Sequence, residues 1–300
     1  MIRSKRIYIQ IFITAIILSL IYIFINNLII NLIRTDLGFS FSWITRPASF
    51  ELAEHVLPYS PSSSYAWALF IGWLNSLKVI LISLIFSTLL GTIIGINSTG
   101  KNLYLRKIST IYTLIIRQTP LLLQLMFWYF VGFLGLSNNF FSIPNIVSIN
   151  NKGIDLFGLS LSSEFAALII GLSIFTSAYI GEVIRGGILS VSRGQWEAFR
   201  SLGLSETNGL LKIIIPQALP GIIPGLTSQY LNLAKNSTLA IAVGYSDIYA
   251  INDTIINQTG RAIECFIILL LSFLLLNLLI TNVMEIINKI INNHQRKIGW

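Results

Sequence analysis

The sequence predicts an all-α polytopic membrane protein with about six transmembrane helices. Hydrophobic residues make up 54% of the 300 and charged residues only 11%, far from the usual quarter of charged residues in a soluble domain. The mean hydropathy is +0.75. Six stretches, at about 8–33, 71–96, 108–135, 165–190, 222–242 and 264–287, reach the roughly 20 apolar residues that cross a hydrocarbon layer about 30 Å thick.

The first stretch reads as a retained span. Its apolar run is longer than the core of a secretory signal, and no small-residue cleavage site follows it. Six spans then put both termini on one side, and Lys and Arg near span ends select the cytoplasmic one. With the N-terminus inside, the inner segments hold Arg3, Lys5, Arg6, Lys101, Arg106, Lys107, Arg193, Arg200, Lys212, Lys289, Arg296 and Lys297. The outer segments hold only Arg34, Arg46, Lys152 and Arg261. The net charge of +8 is therefore a topology signal and does not call for nucleic acid. The single Cys265 cannot form an intrachain disulfide and sits at the start of the last span.

Between the spans, outer loops at about 34–70, 136–164 and 243–263 carry turn formers such as Pro47, Pro58, Pro61, Pro144 and the Asn/Ser/Gly-rich 137–153. They look too short to be domains. No internal repeat and no inverted pair of broken helices stands out. The longest inner segment runs from about 191 to 221, and it is built like a helical elbow. Trp196 to Leu202 lacks breakers, Gly203 can end that helix in a left-handed cap, and Ser205 can cap a second helix with Glu206 in its first turn. Pro216 and Pro220 limit how far the second helix runs before the chain re-enters the membrane. Such an elbow suits either the passage of force from a soluble partner or an interfacial amphipathic linker.

Polar groups inside the spans mark a second candidate region, because a charge in the apolar layer costs about 2.5 kcal/mol or more and marks a pathway or a pair. Arg117, Gln118, Thr119 and Pro120 interrupt the third span; Glu182 and Arg185 lie in the cytoplasmic half of the fourth; Lys235, Asn236 and Ser237 interrupt the fifth. Glu182 and Arg185 are three apart on one helical face and can pair locally. Alternatively, Arg117, Glu182 and Lys235 can neutralise one another across helices. Elsewhere, Lys78 is placed to snorkel toward the outer surface. The aromatic run Phe127 to Phe130 reads as an interfacial belt. His55 and His294 fall in different compartments and cannot share a metal. No phosphate loop of the G-x-x-x-x-G-K-[ST] kind is present, so no cofactor or nucleotide is assigned to this chain.

The elbow's spacing carries a resemblance. Glu197, Ala198 and Phe199 are followed after three residues by Gly203, after nine more by Ile213, and then by Ile215 and Pro216. This resembles the Glu-Ala-Ala loop of permease subunits of ATP-binding-cassette importers, with Phe199 for the second Ala and Ile215 for a Leu. Segments 115–130, 176–205, 216–248 and 257–264 are similar to the polar amino acid branch, and among its members to permeases of general L-amino-acid importers. Gly181 stands where that family often has Ala, and the 136–164 loop is shorter than the insert of its longest relatives.

The resemblance implies a type I importer permease fold. Residues 1–70 would form an N-terminal helix and outer loop, 71–290 the transmembrane domain, and 291–300 a cytoplasmic tail. It implies an inner-membrane protein that does no chemistry and works with a dimer of ATPase subunits, a second permease, a substrate-binding protein and an amino acid cargo. It makes Glu197, Ala198, Phe199, Gly203, Ile213 and Pro216 the ATPase-coupling residues. An amino acid carries a carboxylate and an ammonium group. Arg117 or Lys235 is therefore expected near the first and Glu182 near the second, with Gln118, Thr119, Gln229, Asn232 and Asn236 as neutral partners. An ion-driven secondary carrier is the alternative, and it leaves the elbow unexplained. A membrane enzyme or scaffold would show a catalytic or metal cluster at one membrane face, which the sequence lacks.

Overall fold

The computed structural model describes residues 2–34, 38–138, 140–143 and 146–298, with side chains described outside 2–6, 32 and 294–298. The expected turn at Pro144 and the side chains of Arg3, Lys5, Arg6, His294, Arg296 and Lys297 lie outside the described residues. Helix α1 (Ile2–Arg34) is apolar on all sides, and none of its spanning window is buried against the rest of the chain. Helix α2 (Tyr65–Thr99) starts at Ser64, whose hydroxyl accepts the Trp67 amide. Helix α3 (Leu103–Gln118) starts at Asn102, and α4 (Leu121–Met126) continues as wider π-type turns over Phe127–Leu134.

An antiparallel four-stranded sheet follows, with order β1 (Phe141–Ile143), β2 (Val147–Asn150), β3 (Gly153–Leu156), β4 (Leu159–Ser162). Helix α5 (Ser163–Ser190) springs directly from it, capped by the Ser162 hydroxyl. Then come α6 (Arg193–Ser201), α7 (Glu206–Gly209), π-type turns at Leu210–Ile214 and α8 (Ile215–Asn236). A 3-10 stretch at Ser237–Val243, α9 (Ile248–Thr259) and α10 (Ala262–Ile298) complete the chain.

Among the described residues, five helices are long and apolar enough to cross a membrane, or six when the bent α3–α4 pair counts as one span. That bend corrects the expected continuous span over 108–135: the two halves meet at 103°. Pro120 has no amide hydrogen and pushes the preceding residue out of the helical region, and Thr119 is accordingly extended at φ −100°, ψ 132°. The carbonyls freed by the break are bound again by one side chain. The Gln124 amide donates to the carbonyls of Ile116 and Thr119 at 3.0 and 3.1 Å.

A second correction concerns the elbow's second helix. Pro216 and Pro220 do not end it; helical turns run unbroken from Glu206 to Val243. Pro216 lies where the wide turns at Leu210–Ile214 pass into α8. Pro220 and Pro224 follow at intervals of four, so the lost hydrogen bonds lie along one face and the opposite face keeps its ladder.

The sheet was not expected either. Its β3–β4 turn, Phe157–Gly158, has both residues at positive φ (50° and 85°), the geometry of a tight hairpin.

The centre of the molecule is the α2–α5 contact. A Cβ added to Gly91 would lie 2.5 Å from Ile180, and one added to Gly95 would lie 2.7 Å from Ile184. Small residues four apart let two membrane helices approach until their backbones nearly touch. At the N-terminal end of α2, residues 40–64 form a folded strap. Trp43 and Ala48 are buried with Tyr65, Ile248, Ile251 and Cys265, and Glu264 accepts the Ser40 amide at 3.0 Å.

Candidate coupling surface and substrate path

The elbow folds because its glycines fit their places. Helix α6 ends at Ser201 with Leu202 as its cap, and Gly203 takes φ +68°. The Leu204 amide returns to the Phe199 carbonyl and the Gly203 amide to the Arg200 carbonyl, the paired closure that satisfies a helix C-terminus. Ser205 then caps α7 through the Asn208 amide. Phe199, where the importer pattern has Ala, is fully buried among Ile188, Ile214 and Ala218. Gly209 makes room for it, since a Cβ there would lie 2.3 Å from the Phe199 ring.

With Phe199 and Trp196 turned inward, Glu197 and Ala198 are exposed on the opposite side of α6. Ile213 and Pro216 are half-buried beneath the elbow. Glu206 joins three segments: Lys101 from the α2–α3 loop lies 2.5 Å from its carboxylate, and Arg200 of α6 donates to it at 2.9 Å. Arg200 also lies over the Trp196 and Phe199 rings at 5.6 and 5.5 Å. Gln217 of α8 donates to Gln195 of α6 at 3.0 Å. The elbow is therefore tied to the α2–α3 loop and to the fifth span.

In the spans, the structure brings together part of the predicted polar set. Arg185 makes a two-pronged contact to Glu182, with Nη2 at 2.9 Å and Nε at 3.1 Å. Arg117 approaches the same carboxylate at 3.9 Å and stacks over Tyr179 at 5.1 Å. Among the described residues, Lys235 makes no ion pair with Glu182, so a three-way neutralisation is not what forms. Thr119 turns its hydroxyl back to the Ile115 and Ile116 carbonyls and accepts from Gln124 at 2.7 Å. Gln118 is exposed at the end of α3. Asn232 and Lys235 are exposed along α8, while Gln229 and Asn236 are half-buried.

Near the strap the structure gathers Lys78 with groups that the sequence did not single out. Lys78, expected to reach toward the outer surface, has its ammonium 4.0 Å over the ring of Phe165, at the wall of a polar cavity of about 580 Å³ beside the strap. Glu54 of the strap lines the same cavity and accepts from the Ser162 hydroxyl. Burial pushes its carboxyl up to about 7, against the opposing pull of Lys78. Asn75 of α2, almost fully buried, donates to the carbonyls of Glu54 and Ser246 at 3.0 and 2.7 Å. Asp247 caps α9 through the Ala250 amide, and burial raises its carboxyl to about 7. A signal for Glu54, Asn75 and Asp247 exists only in three dimensions, since each is an isolated polar residue in the chain. Among the described residues no cluster of three or more His, Cys, Asp or Glu could hold a metal ion.

The solved structure described as an amino acid ABC transporter with histidines superposes with a TM-score of 0.60 at 27% identity, over 75% of this chain and 94% of that one. A chain of Escherichia coli (strain K12) named as an amino-acid ABC transporter permease, YhdX, is 33% identical over 88% of each chain. The general L-amino acid transport system permease protein AapQ of Rhizobium johnstonii is 29% identical over 92% of this chain and 90% of its own. These relatives lend no support to an ion-driven secondary carrier. The family model described as "Binding-protein-dependent transport system inner membrane component" matches residues 87–293. The chain therefore belongs to the family of inner membrane components of binding-protein-dependent transport systems, as a permease subunit of type I importer fold.

Proposed function

We propose that this chain forms half of the path through which an ATP-driven importer carries amino acids across the bacterial inner membrane. Both termini and the elbow would face the cytoplasm, the side that the excess of Lys and Arg favours. A dimer of ATPase subunits supplies the power, a second permease completes the path, and a binding protein delivers cargo from outside.

The observation that carries this reading is the elbow's construction. Its Glu197–Ala198 face is exposed, its closure is rigid, and its second helix continues without interruption into the fifth span. A surface that is both exposed and mechanically continuous with a spanning helix suits a docking site for the ATPase. In the spans, two guanidinium groups meet one carboxylate at Glu182. The excess positive charge suits a substrate carboxylate, with Arg117, the more weakly held of the two, as the group that exchanges partners. Lys235, with Asn232, Asn236, Gln229, Gln118 and Thr119, lines the remainder of the proposed path.

Replacing the residue at Gly203 tests the reading. A Gly203→Val chain must hold a branched side chain at positive φ, at a cost of about 1–2 kcal/mol. It is expected to insert and to assemble while ATP-driven uptake in proteoliposomes collapses; Glu197→Lys is expected to do the same by reversing the charge presented to the ATPase. Full uptake in both variants would show that force does not pass through this loop.

A further inference from the structure

The outer cavity of about 580 Å³ lies between the strap, the outer end of α2 and the sheet. Four charged side chains line it: Glu54 and Asp155 against Lys78 and Lys152. Opposite charges confined together normally collapse into ion pairs. Among the described residues none of these four comes within 4.0 Å of an opposite charge, since none has a salt bridge. Three of them are held elsewhere. Glu54 accepts from Ser162, Asp155 accepts from Ser148 at 2.9 Å, and Lys78 rests on the Phe165 ring. Asn75, nearly fully buried, pins the strap by its donations to the Glu54 and Ser246 carbonyls. The cavity thus keeps two acidic and two basic groups apart on its walls.

A ligand that complements such walls is itself neutral overall and carries a cation and an anion a few atoms apart. Groups already held in place by their neighbours favour it, because part of the cost of ordering the site has been met in folding. The cavity also shares Lys78, Ser160 and Leu161 with an apolar groove that includes Ile82 and Phe86. The groove can take a variable apolar side chain while the charges hold the ends common to every member of the class.

We infer that this cavity is a receiving site for a free zwitterionic amino acid on the outer face, in which Lys78 and Lys152 take the carboxylate and Glu54 and Asp155 take the ammonium group. The inference rests on the importer reading for the identity of the cargo. It adds a station outside the membrane, distinct from the Arg117–Glu182 region. An ammonium group beside Glu54 favours its ionised form.

The test is protection from labelling in the complete transporter, reconstituted without its binding protein. An Ala53→Cys substitution puts a thiol at the exposed rim, and Cys265, fully buried, contributes little background. A mixture of the common L-amino acids is expected to slow reaction with a cationic methanethiosulfonate reagent severalfold. The corresponding decarboxylated amines and deaminated acids are expected to have little effect. Protection should be lost in Ala53→Cys chains that also carry Lys78→Met or Glu54→Gln; Lys152→Met, at the exposed β2–β3 turn, gives a variant that leaves the packed wall intact. Labelling unchanged by amino acids, or protection that persists in all three variants, overturns the assignment. ATP-driven uptake of the same mixture by the transporter with its binding protein is followed in parallel. Uptake without protection sinks the cavity assignment alone, whereas absence of uptake sinks the importer reading.

Discussion

Phe199 and Gly209 act as one unit: a bulky ring on α6 occupies the space that a missing side chain leaves on α7. Phe199→Ala opens a void and should cost about 3–5 kcal/mol, within the range for large-to-small changes in a core. Gly209→Ala alone forces the ring aside and should also destabilise. The double variant should be more stable than the sum of the two losses, and thermal unfolding of all four chains measures that coupling. Glu54 and Asp247 give a pH signature. Each has its folded-state carboxyl raised to about 7, so the folded chain holds its proton more tightly than the unfolded one does. Their contribution to stability is complete below the ordinary carboxylate range and declines as pH rises toward 7. Amide exchange in residues 50–56 and 246–252, corrected for the intrinsic pH effect, should therefore quicken over that window. It should stay flat in the Glu54→Gln, Asp247→Asn double variant.

At the scale of elements, the bend between α3 and α4 hangs on one side chain. Gln124→Leu leaves the Ile116 and Thr119 carbonyls without their donor, and the loss at the part-buried Ile116 carbonyl should cost about 1–3 kcal/mol. A lowered unfolding midpoint, with a changed distance between spin labels on Tyr104 and Val131, would register it; no change in either would show that the break is held by other means. The same elements show what the sequence could reveal. The existence of the spans was legible because about 20 apolar residues have few other fates. The Gly203 turn was legible because only glycine takes that backbone readily. The Pro120 break was visible as a polar interruption, yet its angle depends on where Gln124 reaches. The persistence of α8 through Pro216, Pro220 and Pro224 was hidden, since one proline usually ends a helix and only the spacing of four rescues three of them. The sheet was hidden as well. Its strands are three or four residues long, and Asn, Ser and Gly around them read equally well as loop. Of the candidate sites, the elbow was readable because it is local in the chain. The outer cavity was not, because its wall brings together residues 54, 78, 152 and 155.

Over the whole molecule, α1 stands apart. None of its spanning window is buried, whereas the strap after it is held to α10 by Glu264 and to the Trp43 cluster. A chain lacking residues 2–34 should therefore keep the unfolding midpoint of the remaining bundle, measured in detergent; a large drop would reveal contacts that hold α1 to it. The family match begins at residue 87, well after this helix. The continuous run from Glu206 to Val243 has a different consequence. It reaches from the elbow on one face to the Gly244–Asp247 turn on the other, and it is gripped near its middle where Ile222 meets Gly187 and Val183 meets Gly225. A stiff rod held at its waist behaves as a seesaw. Tilting about that waist would carry the end beside the elbow and the end beside Gly244 in opposite directions.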